Sequence, residues 1–263
     1  MGSLHAAPDA QGALLRPSDD HLRPAGRCLG HYGQPWAGMS FRGRPPAPEW
    51  RHLAECIPTL CISLTRAVER REAMVARWSR FLPRDFPFPF HDAVDMRDID
   101  SGAIPRPRVV SRIGRPLSTG EIACLMSHIA AAERLLEQCG QDGVLVMEDD
   151  VTPIVEPHVL WRRINAAKAQ APAVDIILCC KPENPFSVRR ETADLLVPGD
   201  RYPYGTTMLW MSREGAKGFI GHLKRFDAPA DYWVDFCHER RLGVLRDPGG
   251  VLQSDRDVHW QHL

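Results

Sequence analysis

The stretch Gly143-Val-Leu-Val-Met-Glu-Asp-Asp150 decides the fold. Its apolar run is unbroken, the pattern of a strand buried on both faces of a parallel sheet, and it stops abruptly at three carboxylates. In open α/β sheets ligands bind beyond the carboxyl ends of strands, so acids there are stronger site candidates than acids on helix faces. Residues two apart in an extended run point the same way. Glu148 and Asp150 can therefore share one oxygen-loving divalent ion, Mn²⁺ or Mg²⁺, while Asp149 faces elsewhere.

Working outward, Ser118-Thr-Gly-Glu121 reads as a capping box, in which the serine and glutamate side chains satisfy free amides at a helix start. Ile122, Leu125, Met126, Ile129, Ala132 and Leu136 give that helix its apolar stripe, and Gly140 is its expected stop. Further upstream, Thr59-Leu-Cys-Ile-Ser-Leu64 predicts a first strand. A helix follows over residues 66–80, with Val68, Met74, Val75 and Trp78 at helical spacing. The prolines within Phe86-Pro-Phe-Pro-Phe-His-Asp-Ala-Val-Asp95 confine that segment to an edge strand. Downstream, residues 174–180 and 206–211 are apolar runs, and a helix is expected from Arg213 to Phe226. This alternation predicts an α/β, Rossmann-like, mainly parallel sheet with helices on both faces.

The chain has 263 residues, enough for a substantial core. Lys and Arg total 33 and Asp and Glu total 33, so no net charge draws in nucleic acid. No apolar run reaches the roughly 20 residues needed to cross a bilayer, and the start of the sequence lacks the basic and apolar regions of a signal peptide. A cytoplasmic protein is expected. The 8 cysteines include none with paired CxxC spacing; Cys61, Cys124, Cys179 and Cys180 sit in apolar patterns and read as reduced core residues. Residues 1–56, rich in Pro, Gly and Arg, read as a poorly ordered leader, and 57–263 as the working domain.

Four motifs occur in order: Cys61-Ile-Ser-Leu-Thr-Arg-Ala-Val-Glu-Arg-Arg71, Phe90-His-Asp-Ala-Val-Asp95, Leu117-Ser-Thr-Gly-Glu-Ile-Ala-Cys-Leu-Met-Ser-His128 and Val146-Met-Glu-Asp-Asp-Val151. Together they resemble the motifs of glycosyltransferase family 25. Leu209-Trp-Met-Ser-Arg-Glu-Gly-Ala216 and Pro229-Ala-Asp231 are similar to later segments of that family, although Ala123 stands where it often has Gly. The resemblance implies a GT-A type fold and inverting transfer of a sugar from a UDP donor, commonly UDP-galactose, to a hydroxyl of a glycan such as lipooligosaccharide. A membrane-borne acceptor would bring peripheral contact with the inner membrane. A metal at Glu148 and Asp150 would then offset charge on the departing diphosphate.

The resemblance also distributes roles. Ser63, Leu64, Arg66 and Arg70 follow the first strand, where this fold receives the nucleotide; Asp149 and the matched pair Ser127 and His128 are further donor-side candidates. Inverting transfer needs a general base within hydrogen-bond reach of the acceptor hydroxyl. Asp231 and Asp235 are the candidates, with Asp231 preferred at the Pro-x-Asp position; Tyr232 and Trp233 could stack on a sugar face. His259 or Asp255 could fold back as a third metal ligand. Two other classes compete. A metal-dependent nucleotidyltransferase would want a Gly-rich phosphate loop with a lysine, which Ser63-Leu-Thr-Arg66 lacks. A non-catalytic sugar-nucleotide- or glycan-binding protein of the same fold would have no need of the intact acidic triplet.

Overall fold

The computed structural model describes residues 59–253 except 80, 82–87, 139–142, 154, 183 and 247–250, with backbone pairing alone for 251–253. The leader, the helix stop at Gly140 and the C-terminal candidates Asp255 and His259 lie outside the described residues.

Strand β1 (Thr59–Ser63) is followed by helix α1 (Val68–Trp78) and by β2 (Phe90–Asp92), which pairs parallel to β1 at the sheet's edge, as its prolines require. Asp95 then caps the short α2 (Met96–Asp100), accepting from the Arg97 amide at 3.1 Å. The long α3 (Thr119–Gln138) opens on the expected capping box. The Ser118 amide donates to Glu121 at 2.8 Å and the Glu121 amide to Ser118 Oγ at 3.2 Å, so each side chain satisfies the other's backbone.

The acid-bearing stretch forms β3 (Val144–Glu148), parallel to β1 with Ile62 opposite Glu148. After the turn at 149–150 come β4 (Val151–Pro153) and α4 (Pro157–Gln170). β5 (Ile176–Leu178), a hairpin of β6 (Val188–Glu191) and β7 (Leu195–Pro198), and β8 (Met208–Met211) follow. Helices α5 (Arg213–Leu223) and α6 (Val234–His238) lead to β9 (Leu242–Leu245) and β10 (Val251–Gln253), the last paired antiparallel with β4.

Eight strands form one sheet in the order β2-β1-β3-β8-β5-β9-β7-β6. It is mixed, contrary to the mainly parallel expectation. The pairs β1–β2, β1–β3 and β5–β9 are parallel, whereas β3–β8, β5–β8, β7–β9 and β6–β7 are antiparallel. An apolar run buried on both faces looks the same whichever way it runs, so β8's direction was not written in its composition.

Both faces are covered by helices. Leu60, Ile62, Val144, Val146, Leu209 and Met211 pack beneath α3, α5 and α6; their sequence neighbours Cys61, Leu145, Met147, Met208 and Trp210 pack on the other face with Met74, Trp78, Leu160 and Trp161 of α1 and α4. The strand period of two sorts each run between two cores, and each buried Leu, Ile or Val contributes roughly 1.5–3 kcal/mol. The described cysteines Cys61, Cys124, Cys179, Cys180 and Cys237 are free thiols.

One consequence of the topology places the site. β1, β3 and β5 direct their carboxyl ends to one edge of the sheet. The reversed β8 brings its amino end there instead, so Thr206 and Thr207 meet Ser63 and the acids that follow Met147.

Candidate active site

The two acids Glu148 and Asp149 part company at the end of β3, as extended backbone requires. Asp149 turns toward β1 and is buried. Ser63 Oγ donates to its Oδ2 at 2.6 Å, Arg70 pairs with its Oδ1, and Arg77 donates to its carbonyl at 2.9 Å. Burial pushes the Asp149 pKa up, with Ser63 and Arg70 holding it back. Asp149 thus ties the acidic turn to the start of α1.

Glu148 turns the other way. Its Oε1 accepts from Thr206 Oγ1 at 2.6 Å and meets His128 Nε2 at 3.0 Å, while its amide donates to the Thr207 carbonyl at 2.8 Å. A carboxylate can only accept, so Nε2 carries a proton in this contact; Nδ1 of this fully buried ring has no hydrogen-bond partner among the described residues. The His128 ring rests edge-on against Phe219, centroids 6.0 Å apart.

The two candidate bases separate cleanly. Asp231 faces the same region as Glu148. Burial raises its pKa, backbone donors at Gly205 and at its own amide hold it back, and the negative charges of Glu148 and Glu121 push it further up. Asp235 sits within an ion cluster. Arg112 reaches it with two nitrogens at 3.1 and 3.2 Å, Arg225 Nη2 lies 2.6 Å away, and His222 Nδ1 lies 3.5 Å away. Partial burial works against ionisation of Asp235, but the two guanidiniums outweigh it and take its pKa down to about 2. Such a carboxylate is a poor proton acceptor, and its place is structural: it fixes the start of α6 to the 112 and 225 loops.

The other candidates divide likewise. Arg66 is exposed and pairs with Asp95, whose side chain holds its pKa up. Arg71 donates to the Ser63 carbonyl at 2.7 Å and to Asp92 at 2.5 Å, fixing the loop that Leu64 begins. Ser127 is buried with its hydroxyl spent at both ends. It donates to the Ala123 carbonyl at 2.7 Å and accepts from the Val94 amide at 2.8 Å, so it bolts α3 to the segment after β2 and turns no free group toward a donor. Trp233 is fully buried, stacked on Phe219 at 5.4 Å, and its indole donates to the Gly205 carbonyl at 3.2 Å, which removes it as a sugar-stacking surface.

For a metal, the strand-end acids Glu148 and Asp150 provide the hard oxygen donors that Mg²⁺ or Mn²⁺ favours, so the donor set fits in kind. A second, softer set meets at the same carboxylate: ligand atoms of Cys124, His128 and Glu148 all lie within 4.8 Å of one another. The Cys124 thiol is pushed well up by burial and by the charges of Glu148 and Asp231, which disfavours the thiolate a metal would need.

Sequence reading missed Thr206, Thr207 and Asn184. The threonine pair had a signal, two hydroxyls opening an otherwise apolar strand run. Asn184 had none, since its contacts are with a segment 18 and 20 residues further on.

Residues 56–166 match the family model of glycosyltransferase family 25, described as an LPS biosynthesis protein. No curated protein matches the chain in sequence. Among solved structures, the crystal structure of mouse xyloside xylosyltransferase 1 in its apo form matches over 71% of this chain and 71% of that chain, with 12% identity and a TM-score of 0.39.

Proposed function

We propose that this glycosyltransferase, whose residues 56–166 carry the family 25 match, moves a sugar with inversion from a UDP donor, galactose being the first candidate, to a hydroxyl of a lipooligosaccharide-type glycan. The observation that supports the reading is the pair of acids facing one region with opposite bonding. Glu148 is pinned by Thr206 and His128 at the strand end, and Asp231 is partly desolvated with the backbone amides of Gly205 and of Asp231 itself donating to it.

In this reading Asp231 takes the proton of the attacking acceptor hydroxyl, and its raised pKa brings its basicity nearer to the range a general base needs. Glu148 and Asp150 would hold a divalent ion, which when bound offsets the negative charge gathering on the departing diphosphate. Asp149, Ser63 and Arg70 keep the acidic turn in register with β1, and Leu64 and Arg66 border the loop where the nucleotide would lie. His259, or Asp255, is retained as the proposed further metal ligand. Residues 57–263 are the transferase domain and 1–56 an accessory leader. The protein would act in the cytoplasm, peripherally against the membrane that carries its acceptor; no helix among the described residues is long and apolar enough to cross one.

The test is UDP release from a panel of UDP-sugars, with Mn²⁺, Mg²⁺ or chelator, with and without lipooligosaccharide acceptor. Acceptor-stimulated release from UDP-galactose that chelator abolishes is the expected result. Full activity in excess chelator would remove the metal from the proposal, and preference for another nucleotide sugar would replace galactose.

A further inference from the structure

Beside Asp231 lies a group of aromatic rings for which the transfer chemistry above has no use. Tyr202 and Tyr204 meet edge to face at 88°, centroids 5.2 Å apart, and Tyr202 meets Tyr232 at 5.4 Å and 67°. Tyr204 is 39% exposed, one of the few large apolar surfaces the described residues turn to solvent. It also borders a recess with Lys181, Pro182 and Gly205 at the ends of β5 and β8.

The rings are held in place. Asn184 grips the tyrosine segment at both ends: its side-chain oxygen accepts from the Tyr204 amide at 2.6 Å, and its side-chain nitrogen donates to the Tyr202 carbonyl at 3.0 Å. The Tyr204 hydroxyl donates to that of Tyr202 at 3.3 Å, and the Arg112 guanidinium sits 4.6 Å over the Tyr232 ring. A segment whose backbone and ring contacts are already fixed in this way has lost part of the conformational freedom that binding would otherwise cost.

We propose that Tyr202, Tyr204 and Tyr232 form a stacking platform that takes the C–H face of a pyranose ring of the acceptor. The proposal rests on the reading of Asp231 as the base. Partial burial and the Tyr204 hydroxyl dominate the environment of the Tyr202 phenol, and the Asp231 carboxylate lies close enough to act on it, so the platform and the base share one neighbourhood. A sugar suits it better than a purely apolar ligand. Ring faces attract the C–H side of a pyranose, while the Lys181 amine, the tyrosine hydroxyls and the Asp231 carboxylate can bond its outward hydroxyls.

The experiment is saturation-transfer NMR on the full chain with methyl β-D-galactopyranoside, a sugar with a contiguous C–H face, and separately with UDP. The native protein should saturate the ring C–H protons on that face. Tyr204→Ala should weaken pyranoside binding about tenfold, Tyr204→Phe should weaken it only about two- to threefold because the stacking ring stays and one hydroxyl bond goes, and UDP should bind all three alike. Equal pyranoside saturation in native protein and Tyr204→Ala overturns the platform, as does loss of the uracil signal of UDP in Tyr204→Ala. UDP binding without tyrosine-dependent pyranoside contact sinks the platform alone. Tyrosine-dependent pyranoside contact without UDP binding supports it and sinks the transferase reading instead.

Discussion

His128 Nε2 and Glu148 Oε1 lie 3.0 Å apart, joining the middle of α3 to the end of β3, and Thr206 Oγ1 closes on the same oxygen at 2.6 Å from the head of β8. Three elements therefore aim one carboxylate. Thr206→Val keeps the side-chain shape and deletes one charge-assisted bond, so it should cost about 2 kcal/mol of stability. Turnover should fall roughly tenfold as Glu148 loses its orientation. Thermal melts and initial rates check both; an unchanged rate in a folded variant removes Thr206 from the site.

Asp231→Asn should lower transfer by about 100-fold or more while UDP-sugar affinity persists, since shape is kept and basicity lost. The native rate should rise with pH through a limb above the ordinary carboxylate range, and the variant should lack that limb. Linkage supplies a second sign. The folded state holds this proton more tightly than the unfolded chain. Its contribution to stability is therefore present below the ordinary carboxylate pKa and lost as pH rises through the raised value. Asp231→Asn should accordingly be more stable than native protein at neutral pH, which a denaturant titration reads directly.

Asp235→Asn should behave in the opposite way. The folded-state pKa of about 2 lies below the unfolded value, so the stability this group contributes is present above about pH 4 and disappears as pH falls toward 2. Because the carboxylate is partly exposed, solvent screening reduces the effect to about 1 kcal/mol at neutral pH. Turnover measured beside Asp231→Asn should stay within a few-fold of native; a collapse there and not in Asp231→Asn would exchange the two roles.

Asp150→Ala should cost at least about 100-fold in rate and abolish the response to Mn²⁺, whereas Asp149→Asn should leave that response in place. The price of disturbing Asp149 is structural: Ser63→Ala together with Arg70→Met strips a buried carboxylate of its side-chain partners and should destabilise the fold by about 3 kcal/mol. Metal titrations of rate and urea melts separate the two kinds of loss.

Gly215→Ala should destabilise by about 2 kcal/mol, outweighing alanine's higher helix propensity. An added Cβ would stand 2.3 Å from the Asp175 carbonyl oxygen in the first turn of α5, where Ser212 already accepts from the Gly215 amide at 2.9 Å. The Asp175 backbone is itself held there, its carbonyl accepting from the Ser212 amide at 2.8 Å and its amide donating to the Arg241 carbonyl at 2.9 Å. A loss under about 0.5 kcal/mol in urea would show that the turn relaxes.

Local features were the legible ones. The capping box at Ser118 and Glu121, the buried run ending at Glu148, the edge position of the proline-bounded strand and the divergence of Glu148 from Asp149 all follow from short-range rules, and each appears where the sequence placed it. Strand direction did not follow, because pairing sense depends on partners far along the chain. Side-chain partnership was equally hidden: nothing near Ser127 announces that its hydroxyl is consumed by Ala123 and Val94, and nothing near Asp235 announces Arg112, 123 residues away. The short hairpin β6–β7, exposed along β6, has neither the length nor the apolar alternation that marks a strand.

The bond from Ser63 to Asp149 spans 86 residues and that from Thr206 to Glu148 spans 58, so the acidic turn receives its partners only after long loops have closed. Loop-closure entropy delays such contacts relative to helices, whose bonds are local. During refolding, helical circular dichroism should recover ahead of UDP binding. A nascent chain that ends before Thr206 can carry every acid of the turn and still lack the hydroxyl that aims the first of them.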